Sequence, residues 1–290
     1  MSFRSHNESL RAARGEHQPV RRVTALRAAA PVRARRPAGW LPLVAVAAAL
    51  LLALVGQARA AGSSVPLEEP RIDQGNIKSL QRGARHFVNN CMGCHSASYN
   101  RYSRIAQDLG LDEADVESNF IFTTDAEGEP TKVGALMDNN MTKDYGQQAF
   151  GVMPPNLSLT ARSRGTDWIY SFLKTFYLDP DRAGTGVNNL VYPGTAMPHV
   201  LWKYQGFQAL EAHGEGEGDH GSPALTLVEP GALSPSEYDD MIADITNFMA
   251  YMADPIKTTR HSIGIIVMLF LLGLLAVAYF LKKEYWKDVV

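Results

Sequence analysis

The tightest constraint on this chain is the pentapeptide Cys91-Met92-Gly93-Cys94-His95, which contains both of its cysteines. Two thiols at this spacing can add across the vinyl groups of one porphyrin, and the imidazole that follows falls beneath the iron. The same pair could instead form a redox dithiol, half of a zinc site or a plain disulfide. A structural zinc needs two further ligands at their own close spacing, and no second Cys pair or His-x-His cluster supplies them. A thioredoxin-like dithiol belongs on a strand-to-helix turn within a βαβ pattern, which the flanking residues do not show. His95 tips the balance, so the motif reads as the attachment site of one covalent haem c, with His95 as an axial ligand of the iron.

The two ends of the chain place that site outside a membrane. Residues 1–60 hold ten Arg and no Lys against Glu8 and Glu16, whereas residues 61–290 hold 18 Lys and Arg against 28 Asp and Glu. A basic leader therefore precedes an acidic remainder. An apolar run from Trp40 to Val55 leads to Gln57-Ala58-Arg59-Ala60-Ala61, whose small residues fit a signal-peptidase site with the mature start at Ala61. The competing reading is an uncleaved N-terminal anchor; Pro42 and the Ala-x-Ala pattern argue against it. At the other end, Ser262 to Leu281 is an uncharged apolar stretch of 20 residues, the length that spans a bilayer as a helix. Tyr285 and Trp286 beyond it suit headgroup depth, and Lys282, Lys283 and Lys287 put the C-terminus on the cytoplasmic side. The expected division is a leader and signal peptide at 1–60, a periplasmic domain at 61–256, and an anchor with its short tail at 257–290, in the inner membrane of a bacterium. Export agrees with haem attachment, because two thiols in an oxidising compartment need a fixed fate.

Between these ends the pattern is mostly helical. Residues 66–75 look like an extended polar arm; Asn76 then suits an N-cap, with Leu80, Ala84, Phe87 and Val88 at helical spacing into the haem motif. Tyr99, Tyr102 and Ile105 continue as core and haem-pocket packing. The acidic stretch from Asp108 to Glu117 reads as a solvated helical face, or else as a docking surface for a basic partner. Residues 123–148 read as loop, and the Gly-rich acidic residues 211–222 as a flexible insertion. Ser234-Pro235-Ser236-Glu237 is a capping box that opens a helix closed by Asp254-Pro255.

A second axial ligand is sought among the methionines. Met197 follows a Gly turn in Tyr192-Pro193-Gly194-Thr195-Ala196 and precedes Pro198, which would hold a thioether rigidly over the distal face. Met153 is next, since it too precedes Pro, and Met137 and Met141 lie in the same loop-rich region. A His/Met haem has a high potential, suited to accepting electrons rather than binding oxygen. Arg162 or Arg164, after Met153-Pro154-Pro155-Asn156-Leu157-Ser158, could meet a haem propionate through charge-assisted bonds. His199 reads as a pocket-edge or surface residue.

The order of these motifs, from a helix into Cys-x-x-Cys-His, through the Pro-Pro-x-Leu-Ser block and the Met197 loop, to a C-terminal membrane helix, resembles the cytochrome c1 family. The resemblance runs from about Gln81 to the C-terminus, and Asn156 stands where Asp often follows the two prolines. It implies a mainly α fold: a class I cytochrome c-like haem domain with long insertions, plus one C-terminal transmembrane helix. It also implies covalent haem through Cys91 and Cys94, axial His95 and Met197, and a propionate contact best placed on Arg164. The implied partners are cytochrome b, a Rieske iron–sulfur protein, a soluble or anchored c-type cytochrome and membrane lipid, with no nucleic acid. Such a chain would carry electrons inside a quinol-oxidising complex without itself making or breaking a bond. The alternative is an anchored monohaem cytochrome donating to a terminal oxidase or dehydrogenase; such proteins more often keep an N-terminal anchor.

Overall fold

A computed structural model describes residues 65–211 and 223–288, so the expected leader, the expected cleavage site at Ala61 and nearly all of the acidic insertion lie outside the described residues. Asn76 opens α1 (Ile77–Asn90) by accepting the backbone N–H of Ser79 on its Oδ1 at 3.1 Å, which satisfies one of the four donors that a helix start leaves free. The haem motif follows, then β1 (Ala97–Arg101), α2 (Tyr102–Leu109) and α3 (Glu113–Phe120). β2 (Leu136–Met137) pairs antiparallel with β1, and α4 (Lys143–Phe150) starts at Thr142, whose Oγ1 accepts the Tyr145 N–H at 3.2 Å. Part of the span expected to be loop is therefore regular. No apolar stripe announces α4; it is held by packing, since a Cβ on Gly146 would lie 2.7 Å from Met153 Sδ and 3.1 Å from Pro154 Cδ.

Two short helices, α5 (Thr160–Ser163) and α6 (Thr166–Lys174), lead into the hairpin of β3 (Phe176–Leu178) and β4 (Val187–Asn189). After α7 (Trp202–Gln205), β5 (Gly206–Leu210) runs parallel to β3 and pairs antiparallel with β6 (Leu225–Pro230), giving the sheet order β4-β3-β5-β6. Side-chain amides of Gln205 and Gln208 both donate to the carbonyl of Lys174, at 2.7 and 2.9 Å, and so tie the sheet to the end of α6.

α8 (Pro235–Ala253) has the expected capping box: Ser234 Oγ accepts the Glu237 N–H and Glu237 Oε2 accepts the Ser234 N–H at 2.9 Å. It packs along α1, where Phe87 and Phe248 meet with ring centroids 5.5 Å apart, each burial contributing about 1.5–3 kcal/mol. Close approach is possible because Gly83 has no side chain: a Cβ there would lie 2.0 Å from the carbonyl oxygen of Asp244. Asp244 inside this contact is paired, accepting from Ser79 Oγ at 2.6 Å and from Arg82 Nε at 2.6 Å. Tyr251 and Arg104 both donate to Asp108 Oδ2 at 2.7 Å, so that carboxylate joins α8 to α2 and is not part of a free acidic face. The N-terminal arm is docked, through Glu68 N–H to Ser171 Oγ at 2.8 Å and Lys174 Nζ to Glu68 at 2.7 Å.

Three residues after α8, α9 (Lys257–Tyr285) begins; Asp254 and Arg260 form an ion pair of 2.6 Å across the joint. The helix starts five residues before the apolar stretch read from the sequence. Its 29 residues give roughly 43 Å of length at 1.5 Å per residue, more than the roughly 30 Å hydrocarbon core. Its most apolar window has a mean hydropathy of 2.8, and none of that window is buried in the protein.

Candidate haem site

The haem motif is the C-terminal turn of α1 continued. The N–H of Cys91 bonds the carbonyl of Phe87 at 2.8 Å, and the N–H groups of Cys94 and His95 both bond the carbonyl of Cys91, at 3.1 and 2.9 Å. The cysteines are not bridged to each other. Burial, and secondarily Cys94, pushes the Cys91 thiol up to about 12, and burial also raises Cys94. Neither thiol is poised as a thiolate, which disfavours a redox dithiol. Two neutral unbridged thiols beside a histidine fit the donor set of thioether attachment.

His95 is oriented by the Pro-Pro block. Its Nδ1–H donates to the carbonyl of Pro155 at 2.8 Å, which fixes the tautomer and leaves Nε2 with a lone pair able to bind a metal. Burial lowers the pKa of the ring, with the Pro155 bond opposing it, which favours the neutral imidazole, the form that can bind a metal. A proline carbonyl can do this because it still accepts although its nitrogen cannot donate. The block is stitched to the motif strand by strand: Leu157 N–H to Ser96 O at 2.8 Å, Asn156 Nδ2 to Ser98 Oγ at 2.9 Å, and Tyr99 N–H to buried Ser158 Oγ at 3.1 Å. Asn156 thus fills a turn and bridging role, its Oδ1 also accepting the Ser158 N–H at 2.9 Å.

Met197 lies half-buried against the core, as do Leu157, Ala161 and Val200. Apolar side chains left partly uncovered on both segments are what a porphyrin wall requires. The turn before it is built by Pro193 and Gly194: Thr195 N–H bonds Tyr192 O at 3.3 Å, and Gly194 has φ +78°, which a side chain would resist. Met197 N–H reaches Thr195 Oγ1 at 3.3 Å. The other methionines have different places. Met153 Sδ is seated on Gly146, Met137 is fully buried on β2, and Met141 lines a cleft with Val88, Met92 and Tyr145.

Arg164 is exposed and lies over the Trp168 ring at 5.2 Å, and Trp168 meets Tyr192 at 6.3 Å, which connects the arginine's segment to the Met197 loop. Neither Arg164 nor Arg162 forms an ion pair among the described residues. His199 is buried and not a surface residue: it stacks on Phe176 at 5.0 Å, its Nε2–H reaches Gly206 O at 3.3 Å, and burial lowers it to about 4. Tyr102 and Ile105 are core as expected, but Tyr99 is 71% exposed, because β1 turns it outward where helical spacing would have turned it in. Sequence reading missed Asn188, Asn189 and Arg182, which bond the Met197 loop; the only signal was an Asn-Asn pair before a Pro-Gly turn.

A family model described as the Cytochrome C1 family matches residues 69–208 and 227–289. Cytochrome c1 of Allochromatium vinosum is 47% identical over 232 residues, covering 79% of this chain and 92% of that one. A Nitrosomonas europaea protein named ammonia monooxygenase gamma subunit is 42% identical over 232 residues, covering 80% and 92%. Cytochrome c1 of Rhodospirillum rubrum is 28% identical over 267 residues, covering 84% and 96%. The matched residues take in the haem motif, the Pro-Pro block, the Met197 loop and α9, and the chain therefore belongs to the cytochrome c1 family, the membrane-anchored electron-transfer haem subunits of the bc1 complex, which carry one covalently bound haem c.

Proposed function

We propose that this chain takes one electron from a Rieske iron–sulfur protein and passes it to a soluble or anchored c-type cytochrome, beside cytochrome b in a quinol-oxidising complex. The observation that carries this reading is that the chain has both a tautomer-fixed imidazole at His95 and a half-buried thioether at Met197 on a restrained loop. When bound, the haem supplies a one-electron iron couple, and a Met/His ligand pair raises its potential. Cys91 and Cys94 would hold the macrocycle through thioethers, and Arg164, free of carboxylate partners among the described residues, would face a propionate. The exposed acidic side chains Glu113, Asp115 and Glu117 on α3 would steer a basic electron carrier.

The proposed layout is a removed leader at 1–60, a periplasmic haem domain at 61–256 and an anchor at 257–290. Lys282, Lys283 and Lys287, with Tyr285 and Trp286, support a cytoplasmic C-terminus at a bacterial inner membrane. The test is an oxidised and reduced optical spectrum of the detergent-extracted protein, in wild type and in Met197→Ala. A sharp low-spin c-type spectrum whose thioether-to-iron band disappears in the variant is the expected result, together with co-purification of a cytochrome b and a Rieske protein. Persistence of that band in Met197→Ala would move the ligand to another methionine, and isolation of the haem protein without those partners would sink the assignment of donor and complex.

A further inference from the structure

The Met197 loop is held by side chains from β4 and from the β3–β4 turn. Asn189 is completely buried at the end of β4. Its Oδ1 accepts the N–H groups of Val191 at 2.9 Å and Tyr192 at 3.0 Å, and its Nδ2 donates to Phe172 O at 2.8 Å. Asn188 Oδ1 accepts the Gly194 N–H at 2.8 Å while its Nδ2 donates to Asp179 at 2.8 Å. From the β3–β4 turn, Arg182 Nη2 donates to the carbonyls of Gly194 and Thr195, at 3.0 and 2.7 Å. Five backbone groups between Val191 and Thr195 are thereby bonded to three side chains, leaving little freedom to the segment that ends at Met197.

The energetic case is one of competition. A thioether is a neutral ligand that gives up its site if the loop carrying it can move away, and ordering a loop costs about 1–2 kcal/mol per residue in backbone entropy. Prior ordering by Asn188, Asn189 and Arg182 removes that cost from the ligation step. Each bond contributes about 1 kcal/mol net, and more where loss leaves a buried amide unpaired, as at Asn189. Asn189 is joined through Phe172 O to α6, whose Trp168 touches Tyr192, so the clamp is anchored in the core.

We propose that Asn188, Asn189 and Arg182 are positioning residues that keep Met197 over the iron and so hold the haem at high potential. This rests on the reading of Met197 as the ligand. The test uses the full-length, haem-loaded chain extracted in detergent, as wild type, Met197→Ala, Asn189→Ala, Asn188→Ala, Arg182→Ala and Ser234→Ala. The last removes a helix cap whose bonds stay within residues 234–237 and do not reach the loop, and it reports general destabilisation. The readouts are the thioether-to-iron band, the reduction potential, and carbon monoxide binding by the reduced form.

The expected result is loss of the band in Met197→Ala and at least a tenfold fall in the equilibrium constant for reduction in Asn189→Ala, about 59 mV for one electron. Carbon monoxide binding should appear, Asn188→Ala and Arg182→Ala should show smaller shifts in the same direction, and Ser234→Ala none. Loss of the band in Met197→Ala with unchanged band and potential in the three clamp variants overturns the clamp alone. Retention of the band in Met197→Ala overturns both readings together. If Asn189→Ala does not accumulate, the milder and more exposed Asn188→Ala and Arg182→Ala decide, and normal spectra in both overturn the proposal.

Discussion

At the scale of single residues, most buried polar side chains are committed to a partner, with Asn100 Nδ2, Asn139 Nδ2, Arg182 Nε, Gln205 Oε1 and Asn247 Oδ1 the exceptions among the described residues. Tyr238 is one of the paired groups: its hydroxyl donates to Leu173 O at 2.8 Å, joining α8 to α6. Burial first, then the charges of Asp239 and Tyr170, holds this hydroxyl above the ordinary tyrosine range. The folded state therefore binds the proton more tightly than the unfolded chain. The stability linked to it is complete below the unfolded value of about 10 and is lost as pH climbs past it. Unfolding free energies measured between about pH 9 and 11 should fall in the wild type and fall less steeply in Tyr238→Phe, which at neutral pH should cost about 1–2 kcal/mol for the unpaired Leu173 carbonyl. Equal slopes would mean that other groups set the alkaline limit. The proposed site residues differ in how far the sequence signals them. Cys91, Cys94 and His95 stand out because thioether attachment to one porphyrin would demand a fixed spacing, whereas Asn189 does not, since its partners are backbone groups that any sequence supplies.

At the scale of elements, the contact of α1 with α8 decides the core. Gly83→Ala tests it. Alanine favours an isolated helix by up to about 1 kcal/mol over glycine, but its Cβ would fall 2.0 Å from the Asp244 carbonyl oxygen and 2.8 Å from Phe248 Cβ. Parting two packed helices costs about 1–3 kcal/mol, so packing wins and the variant should be less stable by roughly 2 kcal/mol in thermal unfolding. A more stable variant would show that the helices can separate freely. The caps at Asn76 and Ser234 were readable because their chemistry is local, within three residues. α4 was not, because it follows Thr142 with few apolar residues and its Gly146 is explained only by Met153 and Pro154, on the segment that folds back after the helix. Tyr99 was misplaced for a related reason: a period of 3.6 was carried past His95 into residues that form a strand.

At the scale of the whole molecule, α9 stands apart from the core among the described residues, with none of its side chains buried. Ending the chain at Ile256 should release a haem domain from the membrane with its unfolding free energy within about 0.5 kcal/mol of the anchored protein, read by thermal melts in the same detergent. A larger loss would show packing between anchor and domain. The anchor itself was legible because twenty uncharged apolar residues have no other common use, yet the joint was not, since the Asp254–Arg260 bridge and the early start of α9 depend on where α8 points. That joint has a consequence for encounter. Three residues, one of them proline, with a bridge across them, make the haem domain a fixture at a set altitude over the bilayer instead of a buoy on a line. Any partner must then reach the haem domain at that height, because the joint leaves the domain little travel of its own.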